Sequence, residues 1–322
     1  MDAAGEPGDV TDVTERPSGA GRPDAAQVPQ PASGRVVSVL RTRLRVPSLR
    51  SEGASVTDRA TALEIPPDLS PEQRNLLTAL ACRNDSDHGA HLLGLVLSGS
   101  AGRGVATDRS DLDVYVVLAD TGMHGRQTSR SAAVDEIPVT ISSLERIPAF
   151  GTKGWWFRWS FAWAPVLLDR TEGRVASALR RQATVTTGEA ESILVENDRL
   201  DGWLNYAYRA LKNDRDGRAL ECRLDAAESM PWLLDVIFTL AGRVRPYHKY
   251  LPWELRQHPL PDWPAEQLLA LLTATLDGDP SAIRATFARV EMLCAAFDSE
   301  RARPLLTPII NEWADELQLL RR

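Results

Sequence analysis

LGLVLSGSAGRGVATDRSDLDVYVVL, residues Leu93–Leu118, is the stretch whose reading decides the fold. An apolar run ends at Gly99-Ser100, a polar loop follows, and Asp111-Leu112-Asp113 opens a second apolar run. Short apolar runs bounded by turn residues read as buried strands. Glycine lets backbone approach a phosphate closely, and successive N–H groups can form an anion-binding nest. Ser100 can add a hydroxyl and Arg103 a charge to that grip, with Gly104 permitting the tight return. Residues two apart on a strand share a face, so Asp111 and Asp113 stand side by side. Such a pair repels unless a cation sits between the carboxylates. Hard divalent ions are held by one or two carboxylates plus substrate phosphates, and two ions can clamp both oxygens of an in-line displacement. A Gly-Ser pair alone is a common turn, and two acids alone are a common solvated strand end. Together they describe a site for a nucleoside triphosphate and Mg²⁺.

Outward from this stretch, Ser70-Pro71-Glu72-Gln73 reads as a capped helix start running toward Arg83. Further short strands are expected over Ile137–Ser142 and Ala164–Leu168, with a tryptophan-rich segment, Trp155–Trp163, between them. From Glu189 onward the apolar spacing turns helical, over Ile193–Asn213, Arg218–Ala241, Ala265–Leu276, Ala282–Phe297 and Ala302–Leu320. The expected organisation is a disordered segment over 1–64, an α/β (α+β) module with a short mixed sheet over 65–185, and an all-α helical bundle over 186–322. Residues 1 to about 33 are rich in Gly, Pro, Ala and Asp and cannot bury enough surface to offset ordering entropy. Residues 34–51 carry five arginines and no acid, either a solvated basic arm or a phosphate-contacting one.

A formal net charge of −7 argues against wholesale binding to nucleic acid or an anionic membrane. Cys82, Cys222 and Cys294 are few and scattered, with neither disulfide nor zinc spacing, so a reducing cytoplasm is the expected location. No apolar stretch is long enough to span a bilayer. Lysine occurs only at Lys153, Lys212 and Lys249 against abundant arginine, so most arginines need no functional explanation.

With Gly99, Ser100, Arg103, Gly104, Ser110, Asp111 and Asp113 in this order, the chain resembles the polymerase-β-like nucleotidyltransferase superfamily. It is most similar to the small-molecule and antibiotic nucleotidyltransferases, with their GSxxRG…SDLD wording. The resemblance implies transfer of a nucleoside monophosphate, ATP being the expected donor, to a hydroxyl with release of pyrophosphate. It also implies that Gly99, Ser100, Arg103 and Ser110 serve the triphosphate and that Asp111 and Asp113 ligate Mg²⁺. Such enzymes carry a third carboxylate on the next strand. In EIPVTISSLE its place falls near Thr140, which cannot replace an acid. Glu136 shares that face and is the displaced candidate, and Asp135 lies one step further out. Otherwise the acid comes from the helical half, or the site is weak.

In that half, Asn205, Tyr208, Arg209 and Lys212 fall at helical spacing and form either a solvated stripe or a phosphate and acceptor contact. Asp225, Glu228, Ser229 and Trp232 share a face on the next helix. Glu228 is a candidate base for the acceptor hydroxyl, against the alternative that Asp225 or Glu228 pairs with Arg209 or Arg218. Arg243–Leu255 sets Arg243, Arg245 and Lys249 among Tyr247, Tyr250 and Trp253, suited to phosphates and a stacked base. Arg243 and His248 also have the Arg-x4-His spacing of HEPN-type ribonucleases. Three rival functions stand beside nucleotide transfer to a small hydroxyl acceptor. These are a nucleotide-binding pseudo-enzyme, an antitoxin-like regulator that adenylylates a protein, and a template-independent RNA polymerase.

Overall fold

Ser70 opens the first helix, α1 (Pro71–His88), by a reciprocal cap. Its hydroxyl accepts from the Gln73 N–H and the Gln73 side chain accepts from the Ser70 N–H, with Pro71 at the first helical position. The structure is a computed structural model describing Leu63–Arg322. The readings of residues 1 to about 33 and of the basic segment 34–51 lie outside these described residues.

After α1 come β1 (Leu92–Leu97) and β2 (Leu112–Leu118), which pair antiparallel with Leu97 opposite Val114. The chain turns through β3 (Ser129–Arg130) into β4 (Val134–Thr140), which lies parallel to β2 with Asp113 opposite Asp135. Two short helices, α2 (Ile141–Glu145) and α3 (Lys153–Phe157), lead to the edge strand β5 (Val166–Asp169) and to α4 (Arg174–Ala183). The sheet order is β3-β4-β2-β1-β5. The third strand therefore starts earlier than Ile137 and ends before Ser142. Thr140 stops it by capping α2: its hydroxyl accepts from the Ser143 N–H, and Ser143 Oγ accepts from the Thr140 N–H.

Strand alternation sorts the sheet into two apolar faces. Leu95, Leu97, Leu112, Val114 and Val116 pack on Leu77, Leu80 and Ala81 of α1. Val96, Tyr115 and Val117 pack on Ile141 and Leu144 of α2 and on Val175, Ala178 and Leu179 of α4. Asp113 and Asp135 have the parity of Tyr115 and Ile137. Each is the second residue of its strand, so both stand at one end of the second face.

The second half is helical: α5 (Thr187–Glu191), α6 (Arg199–Arg215), α7 (Ala219–Leu240), α8 (Leu251–Gln257), α9 (Ala265–Leu276), α10 (Pro280–Ser299), α11 (Leu306–Asn311) and α12 (Leu317–Arg321). The long expected helix from Ile193 is broken at Asp198, whose φ is +52°, after a π turn over Ser192–Glu196. The last expected helix splits into α11 and α12, with Ala314 at φ +46° between them. Trp155 and Trp159 belong to the same core as Trp203, Leu233, Phe238 and Phe287, so the tryptophan-rich segment joins the sheet region to the helices. Among the described residues no helix is long and apolar enough to cross a membrane.

Candidate active site

The loop after β1 is built around one close approach. Ser98 N–H donates to the Asp113 carbonyl at 2.7 Å, and Gly99 follows with φ +62°. A Cβ on Gly99 would lie 1.9 Å from Asp113 Oδ2, so only glycine fits against that carboxylate. Ser100 is buried and begins a single 3-10 turn, Ala101–Arg103, whose capping does not use its hydroxyl.

Asp111, Asp113 and Asp135 each bring one carboxylate oxygen to a common point, all within 4.8 Å of one another. The β2–β4 register is the cause, because it sets Asp113 directly beside Asp135. Burial raises the Asp113 pKa, and the neighbouring charges of Asp111 and Asp135 raise it further, while Lys249 and Arg103 oppose the shift. Arg130, itself exposed, has Nε 3.7 Å from Asp135 Oδ2. Three half-buried carboxylates with so little positive charge form an all-oxygen donor set that suits a hard divalent cation such as Mg²⁺.

Glu136 does not join this group. It faces the other side of the sheet, where it pairs with Arg83 and accepts from Asn84 Nδ2 at 3.0 Å, both on α1. The third carboxylate beside Asp111 and Asp113 is that of Asp135, within reach because the strand starts at Val134 and not at Ile137. Thr140, the position first expected to hold the acid, is spent on the α2 cap.

Arg103 is also reassigned. It is 5% exposed, and its guanidinium donates to the carbonyls of Gly99, Trp159, Ser160 and Ala162 while stacking 4.1 Å from the Trp159 ring centroid. With those donors committed to carbonyls, it holds the glycine loop against the tryptophan segment instead of facing a phosphate. Ser110 likewise closes its own turn, accepting from Thr107 N–H at 2.9 Å. Behind Asp113, Tyr115 OH meets Ser160 Oγ at 2.9 Å, and Ser98 Oγ donates to the Ser160 carbonyl at 2.7 Å, which fixes the floor of the site.

From the helical half, two expected residues come close, Lys249 and Tyr247. Lys249 is exposed, its charge is felt at Asp113, and its ammonium lies 5.0 Å from the Tyr250 ring centroid. Tyr247 packs edge-on against Trp159 at 5.2 Å, where burial raises its pKa. Arg209 is turned away, paired at 3.0 Å with Asp225, which also accepts from Asn213. Lys212 is exposed near the end of α6, beside Asp216, and Tyr208 packs against Trp313. Of the stripe on α6, Tyr208 serves packing, Arg209 is ion-paired and Lys212 faces solvent. Glu228 is exposed on α7 and is not brought to the carboxylates. Arg243 donates to the His258 carbonyl and pairs with buried Glu254, so it forms no nuclease-like pair with His248.

No family model matches this chain, and no curated protein does. Among solved structures, a nucleotidyltransferase-like protein from Exiguobacterium sibiricum 255-15 is 14% identical over 78% of this chain and 87% of its own, with a TM-score of 0.30. At that TM-score the likeness decides nothing about the reaction, and it gives no support to an antibiotic-modifying subgroup.

Proposed function

We propose that this chain is a metal-dependent nucleotidyltransferase, moving a nucleoside monophosphate from a triphosphate, ATP foremost, to a hydroxyl acceptor with release of pyrophosphate. The observation that carries this reading is the convergence of Asp111, Asp113 and Asp135 within 4.8 Å, beside a loop position where a Cβ would strike Asp113. Mg²⁺ held by these carboxylates would supply charge neutralisation at the triphosphate. The chain itself does the rest. The backbone N–H groups around Gly99 and the unused Ser100 hydroxyl bind phosphate oxygens, and Lys249 adds positive charge from the helical side. Arg103 positions the loop through the Gly99 carbonyl. Asp135, paired among the described residues with the exposed Arg130, is assigned to accept the proton of the attacking hydroxyl.

A third carboxylate at Asp135, beside Asp111 and Asp113, favours turnover over the binding-only alternative. Purified protein incubated with ATP and Mg²⁺ against a panel of hydroxyl compounds should release pyrophosphate with at least one of them. Label should move from the α-phosphate to that compound. Pyrophosphate release that does not depend on any added compound, with label appearing instead on a co-purified protein or on an RNA end, would replace the small-molecule acceptor by one of the rivals, and no release under any condition would replace transfer by binding alone.

A further inference from the structure

Trp163 sits where its residue type is costly. Phe161–Ala164 form a turn closed by the Ala164 N–H on the Phe161 carbonyl at 3.3 Å. Ala162 has φ −64° and ψ 129°, and Trp163 follows with φ +60°. That is the geometry of a type II turn, whose third position ordinarily takes glycine because a side chain at positive φ is strained. Here it holds the bulkiest side chain, and the surroundings fix its orientation. The indole Nε1–H donates to Glu254 Oε2 at 2.8 Å, and the ring stacks on His258 at 3.5 Å between centroids and 4° between planes. Glu254 is itself buried, and it also accepts from Trp159 Nε1 at 3.1 Å. Trp159 is 1% exposed, whereas Trp163 remains 45% exposed. With one face on His258 and the Nε1 edge on Glu254, the open surface is the other face and far edge of the ring.

The ring stands on the glycine-loop side of the carboxylates. Ser98 N–H donates to the Asp113 carbonyl, and Leu97 N–H to the Pro165 carbonyl at 3.0 Å. The end of β1 thus lies between Asp113 and the segment that carries Trp163, two strand spacings or about 10 Å across. Asp135 lies beyond Asp113 on the opposite side, on β4. The Gly99–Arg103 loop is joined to the Trp163 turn: Arg103 donates to the Ala162 carbonyl at 2.9 Å, and a Cβ on Gly102 would lie 3.3 Å from Pro165 Cδ. A nucleotide with its phosphates on that loop can reach the ring with its base, while the acceptor hydroxyl is drawn to Asp135 across the sheet. A base is flat, and an indole already held rigid binds it by stacking at little ordering cost.

We propose that Trp163 is the stacking platform for the base of the donor nucleotide. This assignment rests on the nucleotidyl-transfer reading and deepens it. Every base offers a flat face, so the ring supplies affinity without choosing among bases. The test titrates the full chain by calorimetry with ATP and, separately, with inorganic tripolyphosphate, each with Mg²⁺. Trp163→Gly removes the ring and suits the turn, and Trp163→Phe keeps a ring without the bond to Glu254. ATP binding should weaken about tenfold or more in Trp163→Gly, the scale of base–aromatic stacking, and less in Trp163→Phe, while tripolyphosphate binds wild type and variants alike. GTP should follow ATP. Equal ATP affinity in wild type and Trp163→Gly overturns the platform. A parallel loss for tripolyphosphate does so too, because the ring would then only shape the loop. Unchanged ATP binding beside a raised KM for the acceptor would give the ring to the acceptor and overturn the donor assignment. Circular dichroism checks folding, and should Trp163→Gly fail to fold, Trp163→Leu, apolar but without a flat face, takes its place. Wild type that binds neither ATP nor tripolyphosphate would sink the nucleotide reading together with the platform, whereas ATP binding indifferent to the ring sinks the platform alone.

Discussion

Replacing Asp113 with Asn should make the metal-free protein more stable while ending its response to Mg²⁺ and ATP. The three carboxylates lie within 4.8 Å of one another. At that distance each like-charged pair costs about 0.9 kcal/mol at the dielectric of water and about 3.5 kcal/mol at an effective value near 20. Asn removes two such pairs and also the burial cost of the charged Asp113, but it forfeits the attraction of Lys249 and Arg103. For a half-buried group, a net gain of about 1–3 kcal/mol remains after screening. At about 2–4 °C per kcal/mol, thermal unfolding in EDTA near neutral pH should rise by several degrees. The sign reverses the usual carboxylate case. The Asp113 pKa is raised on folding, so its penalty is absent below the unfolded-state value. It grows as pH rises from there toward the folded value, then levels off. The advantage of Asp113→Asn should therefore vanish in acid. Adding Mg²⁺ and ATP should raise the wild-type midpoint by mass action and leave the variant unmoved. A variant less stable than wild type in EDTA at neutral pH, or an advantage that persists in acid, would refute the crowding of charge inferred at this site.

Three further outcomes are expected. Gly99→Ala must resolve a 1.9 Å overlap with Asp113 Oδ2 and hold an alanine at positive φ, so pyrophosphate release should fall at least about a hundredfold, with near-native circular dichroism. Arg103→Met removes four hydrogen bonds to carbonyls, leaving those of Gly99 and Ala162 without their side-chain donor, and should cost about 2–4 kcal/mol in urea unfolding. Arg103→Lys should lie between that variant and wild type. Metal-supported activity at limiting Mg²⁺ should decline through the acid region, with a midpoint that falls as Mg²⁺ is raised, because a proton on Asp113, whose pKa burial raises, competes with the cation. A profile flat through that region would show that Asp113 is not a ligand.

Much of this architecture is legible in the chain. The run from Leu93 to Leu118 names both central strands and the glycine turn, and the Ser70–Gln73 cap places α1 correctly, because these signals are local. What is not local is less visible. Asp135 could be found only from the parallel register of β4 on β2, and the strand start upstream of Ile137 hides it. One clue lay in VDEIPVT, where Asp135, Ile137 and Val139 share the parity of a buried face while Glu136 does not. Arg103 reads as a phosphate contact by its nearness to Ser100, but its partners are carbonyls some sixty residues away. Arg209 and Arg199 show the same problem from the other side. Helical spacing makes the first look like a binding residue, yet Asp225 claims it. The second carries no signal, since its partners, Phe150 in the loop before α3 and Trp232 and Asp235 on α7, lie far along the chain.

The central claim is that Asp135, not Glu136, completes the cation site. Mn²⁺ binding in the presence of a nonhydrolysable ATP analogue, followed by electron paramagnetic resonance, tests it directly. Asp135→Asn should lose most of the protein-bound Mn²⁺ signal, while Glu136→Gln, which disturbs only contacts to α1, should retain it. Equal binding in wild type and Asp135→Asn, or loss confined to Glu136→Gln, would contradict the account.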